Sequence, residues 1–210
     1  MDWFRKKSWS DQDEEEFFRK LDRARCTSRA QYLKIQGIVL LQAKDDALLD
    51  VAERLLKLVL ADYPDDMFQR SSTLHTLGEI EVRRERFEKA TEYFELALEA
   101  ERKFPQVTTQ AFLDFAELVV KQRIVDKYDA VETLINERAS SVLFPIQKYK
   151  AYSILSIINS FRGRTDQADR FAKLANEYAN AETSGFRYHK SLGLVERRDE
   201  DLDRMSNRGS

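Results

Sequence analysis

The sequence predicts an all-α chain built from helical repeats, and three observations carry that expectation. Only 6 of the 210 residues are glycine and 3 are proline, while 34% are charged, against about 25% in ordinary domains. Few punctuators among many Glu, Lys, Arg, Leu and Ala residues favour long helices. Apolar residues recur at the 3,4 spacing of an amphipathic helix, and no stretch alternates with the period of a strand. Each proline follows an aromatic residue, at Tyr63-Pro64, Phe104-Pro105 and Phe144-Pro145, so these pairs lie 41 and 40 residues apart. Proline lacks a backbone donor and disfavours helix in the residue before it, so each pair is expected to close a helix. Stops at a regular interval mark a repeat protein.

A first helix is expected over SDQDEEEFFRKLDRAR, capped by Ser10, with the acidic run from Asp11 to Glu16 at its positive end. Four helix pairs follow, at 30–64, 70–105, 108–145 and 147–182. They are split by the polar turns AKDD (43–46), RRER (83–86), RIVDK (123–127) and FRGRTD (161–166). Before each turn lies an apolar stripe, for example Leu74, Leu77 and Val82, or Phe112, Phe115 and Val119. Thr183-Ser184-Gly185 breaks the chain. Beyond it Tyr188, Leu192, Val195 and Leu202 are spaced as one more amphipathic helix, which would cap the last repeat and end in the polar residues 206–210. Three parts result: an N-terminal arm and helix (1–29), a repeat domain (30–182) and a capping helix with a polar tail (183–210).

Composition narrows the function classes. A formal charge of −2 offers no field for nucleic acid. Cys26 is alone, which excludes an intrachain disulfide and a thiolate metal cluster. MDWFRKKSW lacks the apolar core of a signal peptide, and runs such as Ile38 to Leu41 are far too short to span a bilayer. A cytoplasmic protein without a transmembrane segment is expected. Trp3, Phe4 and Trp9 are expected to belong to a leader or to an arm packed on its own domain.

Small residues sit midway along each first helix, at Gly37, Gly78, Ala116 and Ser156. Glycine inside a helix costs about 1 kcal/mol against alanine, so close helix packing is the expected compensation. Ala90 and Ala97 in the second unit match Ala168 and Ala175 in the last. Leu74-x-x-Leu77-Gly78, then Ala90-x-x-x-Phe94, then Ala97 resembles the tetratricopeptide repeat (TPR). Glu81 departs from that pattern, where an aromatic is usual. The first and third units match more weakly, and the period near 40 also suits HEAT or armadillo repeats.

The resemblance implies a right-handed superhelix of about four hairpins that holds a protein or peptide on its inner face, lined by the first helix of each unit. Counting around each first helix from its small residue gives Lys34, Ile38 and Leu41; then His75, Glu79 and Val82; then Leu113, Glu117 and Val120; then Ile157 and Phe161. This set is amphipathic and lacks the Lys/Asn/Arg group by which some TPR domains clamp a terminal carboxylate.

No catalytic constellation is visible. His75 and His189 belong to different regions, and no glycine-rich phosphate loop is present. Glu79, Glu81 and Glu85 read as a solvated helix face beside Arg83, Arg84 and Arg86. A non-catalytic interaction module without cofactor or metal is therefore expected. The competing reading is a structural repeat protein that pairs with itself as a homodimer or larger homo-oligomer.

Overall fold

The computed structural model describes residues 2–43, 45–138 and 141–206. Lys44 in the first predicted turn and the polar tail 207–210 lie outside the described residues. Among those described, ten α-helices and no strands are present. In order they are α1 (Asp11–Arg23), α2 (Cys26–Gln42), α3 (Leu49–Asp62), α4 (Met67–Arg83) and α5 (Phe87–Lys103), then α6 (Ala111–Lys121), α7 (Tyr128–Arg138), α8 (Pro145–Phe161), α9 (Thr165–Ala179) and α10 (Glu200–Ser206). Short 3-10 turns at Asp46–Leu48 and Val125–Lys127 lead into α3 and α7. The chain divides into two compact units, one ending at Ala111 and the other beginning at Phe112.

In the first unit Ser10 caps α1 as expected. Its hydroxyl accepts from the Asp13 backbone N–H at 3.2 Å, and the Asp13 carboxylate accepts from the Ser10 N–H at 3.0 Å. The core joins Phe17 and Leu21 of α1 to Leu33 and Leu40 of α2, Leu55 and Leu56 of α3, and Leu77 and Ile80 of α4. The N-terminal arm packs on this core. Trp3 lies against Phe17 and Tyr32, Phe4 stacks on Tyr32 at 4.5 Å, and Trp9 meets Phe17 edge-on. The fully buried Gln36 side chain accepts from the Lys6 backbone N–H at 2.9 Å and donates to the Lys6 carbonyl at 2.7 Å.

The small residues do the work their spacing implied. A Cβ on Gly78 would stand 2.5 Å from the Phe94 ring of α5, and one on Gly37 would stand 2.8 Å from Leu56 of α3. In the second unit Ser156 of α8 donates from its hydroxyl to the Ala168 carbonyl of α9 at 2.9 Å. In the first two hairpins the helices approach so closely that the first helix has no room for a larger side chain at that point.

A second device recurs in both units. Arg84, at the C-terminus of α4, reaches Asp50 and Glu53 of α3, the latter at 2.5 Å. Arg162, at the C-terminus of α8, reaches Asp129 and Glu132 of α7 in the same bidentate manner. The next residue is left-handed in both turns, Glu85 at φ 57° and Gly163 at φ 70°. Arg86 and Arg164 then donate their backbone N–H to Glu81 and Asn159, each at 2.9 Å.

Three expectations are corrected. Pro64 and Pro105 do follow helix ends, but Pro145 opens α8, where a proline's missing N–H is no loss, and α7 stops at Arg138. The tail does not form one helix through Tyr188, Leu192, Val195 and Leu202. Gly185 and Gly193 take left-handed φ angles of 82° and 70°, and among the described residues beyond Gly185 only Glu200–Ser206 is helical. A Cβ at Gly193 would lie 2.6 Å from that of Phe144, while Tyr188 and Leu192 are exposed. Glu79 and Glu85 are exposed, but Glu81 is wholly buried. Its carboxylate pairs with Lys89 at 2.6 Å, with Arg86 and Arg84 slightly farther away.

Two outcomes follow. Gly78→Ala should destabilise the protein by about 1–3 kcal/mol although alanine is the better helix former, because the Phe94 ring cannot move away. Urea titration checks this, and the cost should shrink in the Gly78→Ala/Phe94→Leu double variant. Burial would raise the Glu53 carboxyl, but hydrogen bonds from Lys57 and Arg84 outweigh it and hold the group near about 2 instead of 4.5. A depressed carboxylate contributes stability above its unfolded pKa and loses it as pH falls through the folded value. Melting temperature should therefore fall between about pH 4.5 and pH 2, and Glu53→Gln should flatten that limb.

Candidate functional site

The proposed inner-face residues separate into two groups by exposure. In the first unit all six remain accessible. Lys34, Ile38 and Leu41 are half-buried on α2; His75 is half-buried and Glu79 and Val82 are exposed on α4. The helices are neighbours: the Arg83 guanidinium of α4 donates to the Leu41 carbonyl at 3.0 Å and pairs with Asp46 at 2.8 Å. Desolvation lowers the Lys34 pKa, opposed by attraction to Asp66, which caps α4. His75 lies 5.7 Å from the Phe94 ring. The α2/α4 strip thus sets a desolvated ammonium and an exposed carboxylate among the apolar Ile38, Leu41 and Val82.

In the second unit the corresponding residues are mostly withdrawn. Leu113, Val120 and Ile157 are buried, at 2%, 0% and 6% exposure. They belong to the core and offer no partner contact. Phe161 is 60% exposed and meets the ring of Tyr128, at the start of α7, edge-on at 5.2 Å. Glu117 is half-buried and bridges two cations, Lys121 at 2.6 Å and Lys150 at 2.7 Å. Burial would lower the Lys150 pKa, but attraction to Glu117 prevails and raises it.

The chain's own C-terminal segment lies against these side chains. Lys121 also pairs with Asp199 at 2.6 Å. The Tyr149 hydroxyl of α8 donates to Asp203 at 2.9 Å and accepts the Asp199 backbone N–H at 3.0 Å. Burial first and the Asp203 hydrogen bond second push this phenol up to about 12. Arg198 donates to Asn176 of α9 at 2.6 Å and pairs with Asp203 at 2.7 Å, and Leu202 is fully buried. A cleft of roughly 450 Å³ opens between Ile146, Tyr149 and Lys150 of α8 and residues 197–201.

Counting residues around a helix did not reveal Lys121, Tyr149, Asp199 and Asp203 as a group. One signal was available. Asp199 is the N-cap of a helix whose first turn is acidic, and its carboxylate accepts from the N–H groups of Asp201 and Leu202 at 3.1 and 3.0 Å. That pattern starts a helix at residue 200 and breaks the longer stripe.

No family model matches the chain, and no curated protein or solved structure matches it. No helix among the described residues is long and apolar enough to cross a membrane.

Replacing Tyr149 by Phe removes a donor to Asp203 and an acceptor for the Asp199 N–H. The change should cost about 0.5–1.5 kcal/mol and speed hydrogen exchange of residues 199–206 before that of α4 and α5.

Proposed function

We propose that the chain is a non-catalytic protein-binding module of TPR-like construction, which holds a segment of a partner protein against the α2/α4 strip. The observation that carries this reading is the contrast between the two faces. The α2/α4 strip keeps apolar and charged groups accessible, whereas the α6/α8 residues at matching positions are buried or ion-paired, Phe161 excepted. The small-against-large interlock of Gly78 and Phe94 supports the TPR-like reading of the hairpin. A right-handed superhelix and a cytoplasmic setting belong to the same proposal.

On this strip Ile38, Leu41 and Val82 supply apolar contact, and Lys34 and Glu79 set orientation. Buried apolar anchors dominate the affinity of such interfaces, while rim charges act mainly on association rate and specificity. The module needs no cofactor and carries out no chemical step.

A second reading rests on the exposed apolar side chains Tyr188 and Leu192, 81% and 51% accessible. Two copies could associate through them as a homodimer. Sedimentation across a hundredfold range of concentration separates the two, since a strict monomer removes self-association.

The partner is sought by crosslinking in the protein's own cells and is then titrated against purified variants. Ile38→Asp and Val82→Asp should each weaken binding by about 1–3 kcal/mol with unchanged melting temperature. Leu96→Asp, at an exposed position of α5, should bind normally. The opposite ranking would move the site from α2/α4 to the second helix of the hairpin.

A further inference from the structure

The C-terminal segment of the second unit is held as a bound peptide is held. α10 has seven residues, too few for a helix to persist in water without support. Leu202 is its one fully buried apolar side chain. The other anchors are polar and come from three helices: Lys121 of α6 to Asp199, Tyr149 of α8 to Asp203, and Asn176 of α9 to Arg198. Before it runs residue 180 to residue 199, without regular helix, so no continuous helix ties the segment to α9.

We infer that this surface is a receptor for a short acidic helix in which one Asp precedes a Leu by three residues and a second Asp follows it, and that residues 198–206 are its resident occupant. A partner protein carrying a segment of the same chemistry takes the place of that occupant. The receptor's chemistry selects such a segment. The Lys121 ammonium takes the capping carboxylate, the Tyr149 hydroxyl takes the second, and Leu202 fills the apolar site between them. Exchange is feasible because mostly polar, partly exposed anchors weaken with salt and a tethered ligand reopens locally. This face differs from the α2/α4 strip, so either assignment can fail while the other stands.

The test uses the full chain and a fluorescent peptide of residues 196–206, followed by anisotropy. In the Asp199→Ala/Leu202→Ala variant the resident segment is weakened while Lys121, Tyr149 and Asn176 are intact. The peptide should bind that variant at least tenfold more tightly than the unmodified chain. A peptide carrying the same two substitutions should not bind, and 0.5 M salt should weaken the interaction. Failure of the peptide to bind the folded variant, or equal binding to the unmodified chain, overturns the inference. If the variant does not fold, hydrogen exchange of the unmodified chain decides. Amides of residues 200–206 should exchange at least a hundredfold faster than those of α4 and α5, and faster still in salt. Exchange only through global unfolding overturns the proposal. A concentration-dependent dimer that the peptide dissolves would assign the site to a second copy and overturn the choice of partner.

Discussion

Everything in this molecule depends on how closely two antiparallel helices can approach. Gly78 lies under the Phe94 ring, Gly37 under Leu56, and Ser156 reaches the backbone of the facing helix. Helix axes that close bring the turn joining them into a fixed geometry. That geometry places Arg84 and Arg162 over the carboxylates of the preceding helix. The glycine therefore acts at a distance. It sets the spacing, the spacing sets the turn, and the turn positions the cation that ties a third helix to the pair. Removing either cation would leave carboxylates partly desolvated, a situation more costly than never having formed the pair.

The same packing decides which surfaces remain for recognition. In the first unit α2 packs on α3 and α4, and α4 on α3 and α5, so only part of each helix surface is left. On α2 and α4 that strip is accessible, with Lys34 half-buried and Glu79 exposed on it. On α6 and α8 Leu113, Val120 and Ile157 are buried, residues 198–206 lie against Lys121 and Tyr149, and Phe161 stays exposed. Matching positions counted around these helices are thus accessible in one unit and mostly buried in the other. A ligand for either position contends with the same physics, namely a few apolar contacts framed by carboxylate and ammonium groups that water still reaches.

Much of the fold was legible in the sequence, because helix period, capping and small-residue spacing are local. Ser10 and its acidic run announced α1, and Gly78 with Ala90 and Phe94 announced an interlocked hairpin. The misreadings have a common cause. Pro145 is equally at home after a helix or at its first residue, and only the end of α7 decides between them. The stripe from Tyr188 to Leu202 had a helical period, but Gly193 must pass against Phe144, a contact made 49 residues away in sequence. Leu113, Val120 and Ile157 were placed on an inner face by counting around their helices. Periodicity identifies a face without saying what lies over it. Glu81 looked solvated because Lys89, its partner, stands eight residues further on, across the turn.

The paired turns carry one more consequence. Glu81, Arg84, Glu85, Arg86 and Lys89 of the first unit stand where the second has Asn159, Arg162, Gly163, Arg164 and Gln167. The cation and the left-handed residue are common to both, yet where buried Glu81 pairs with Lys89, buried Asn159 donates to the Leu155 carbonyl and residue 167 is an exposed glutamine. A single polypeptide therefore carries a buried carboxylate in one joint and a buried amide in the other, each turn closed by the same backbone hydrogen bond. Transplanting the pair at 159 and 167 into 81 and 89, and the reverse, would compare the two chemistries at fixed geometry.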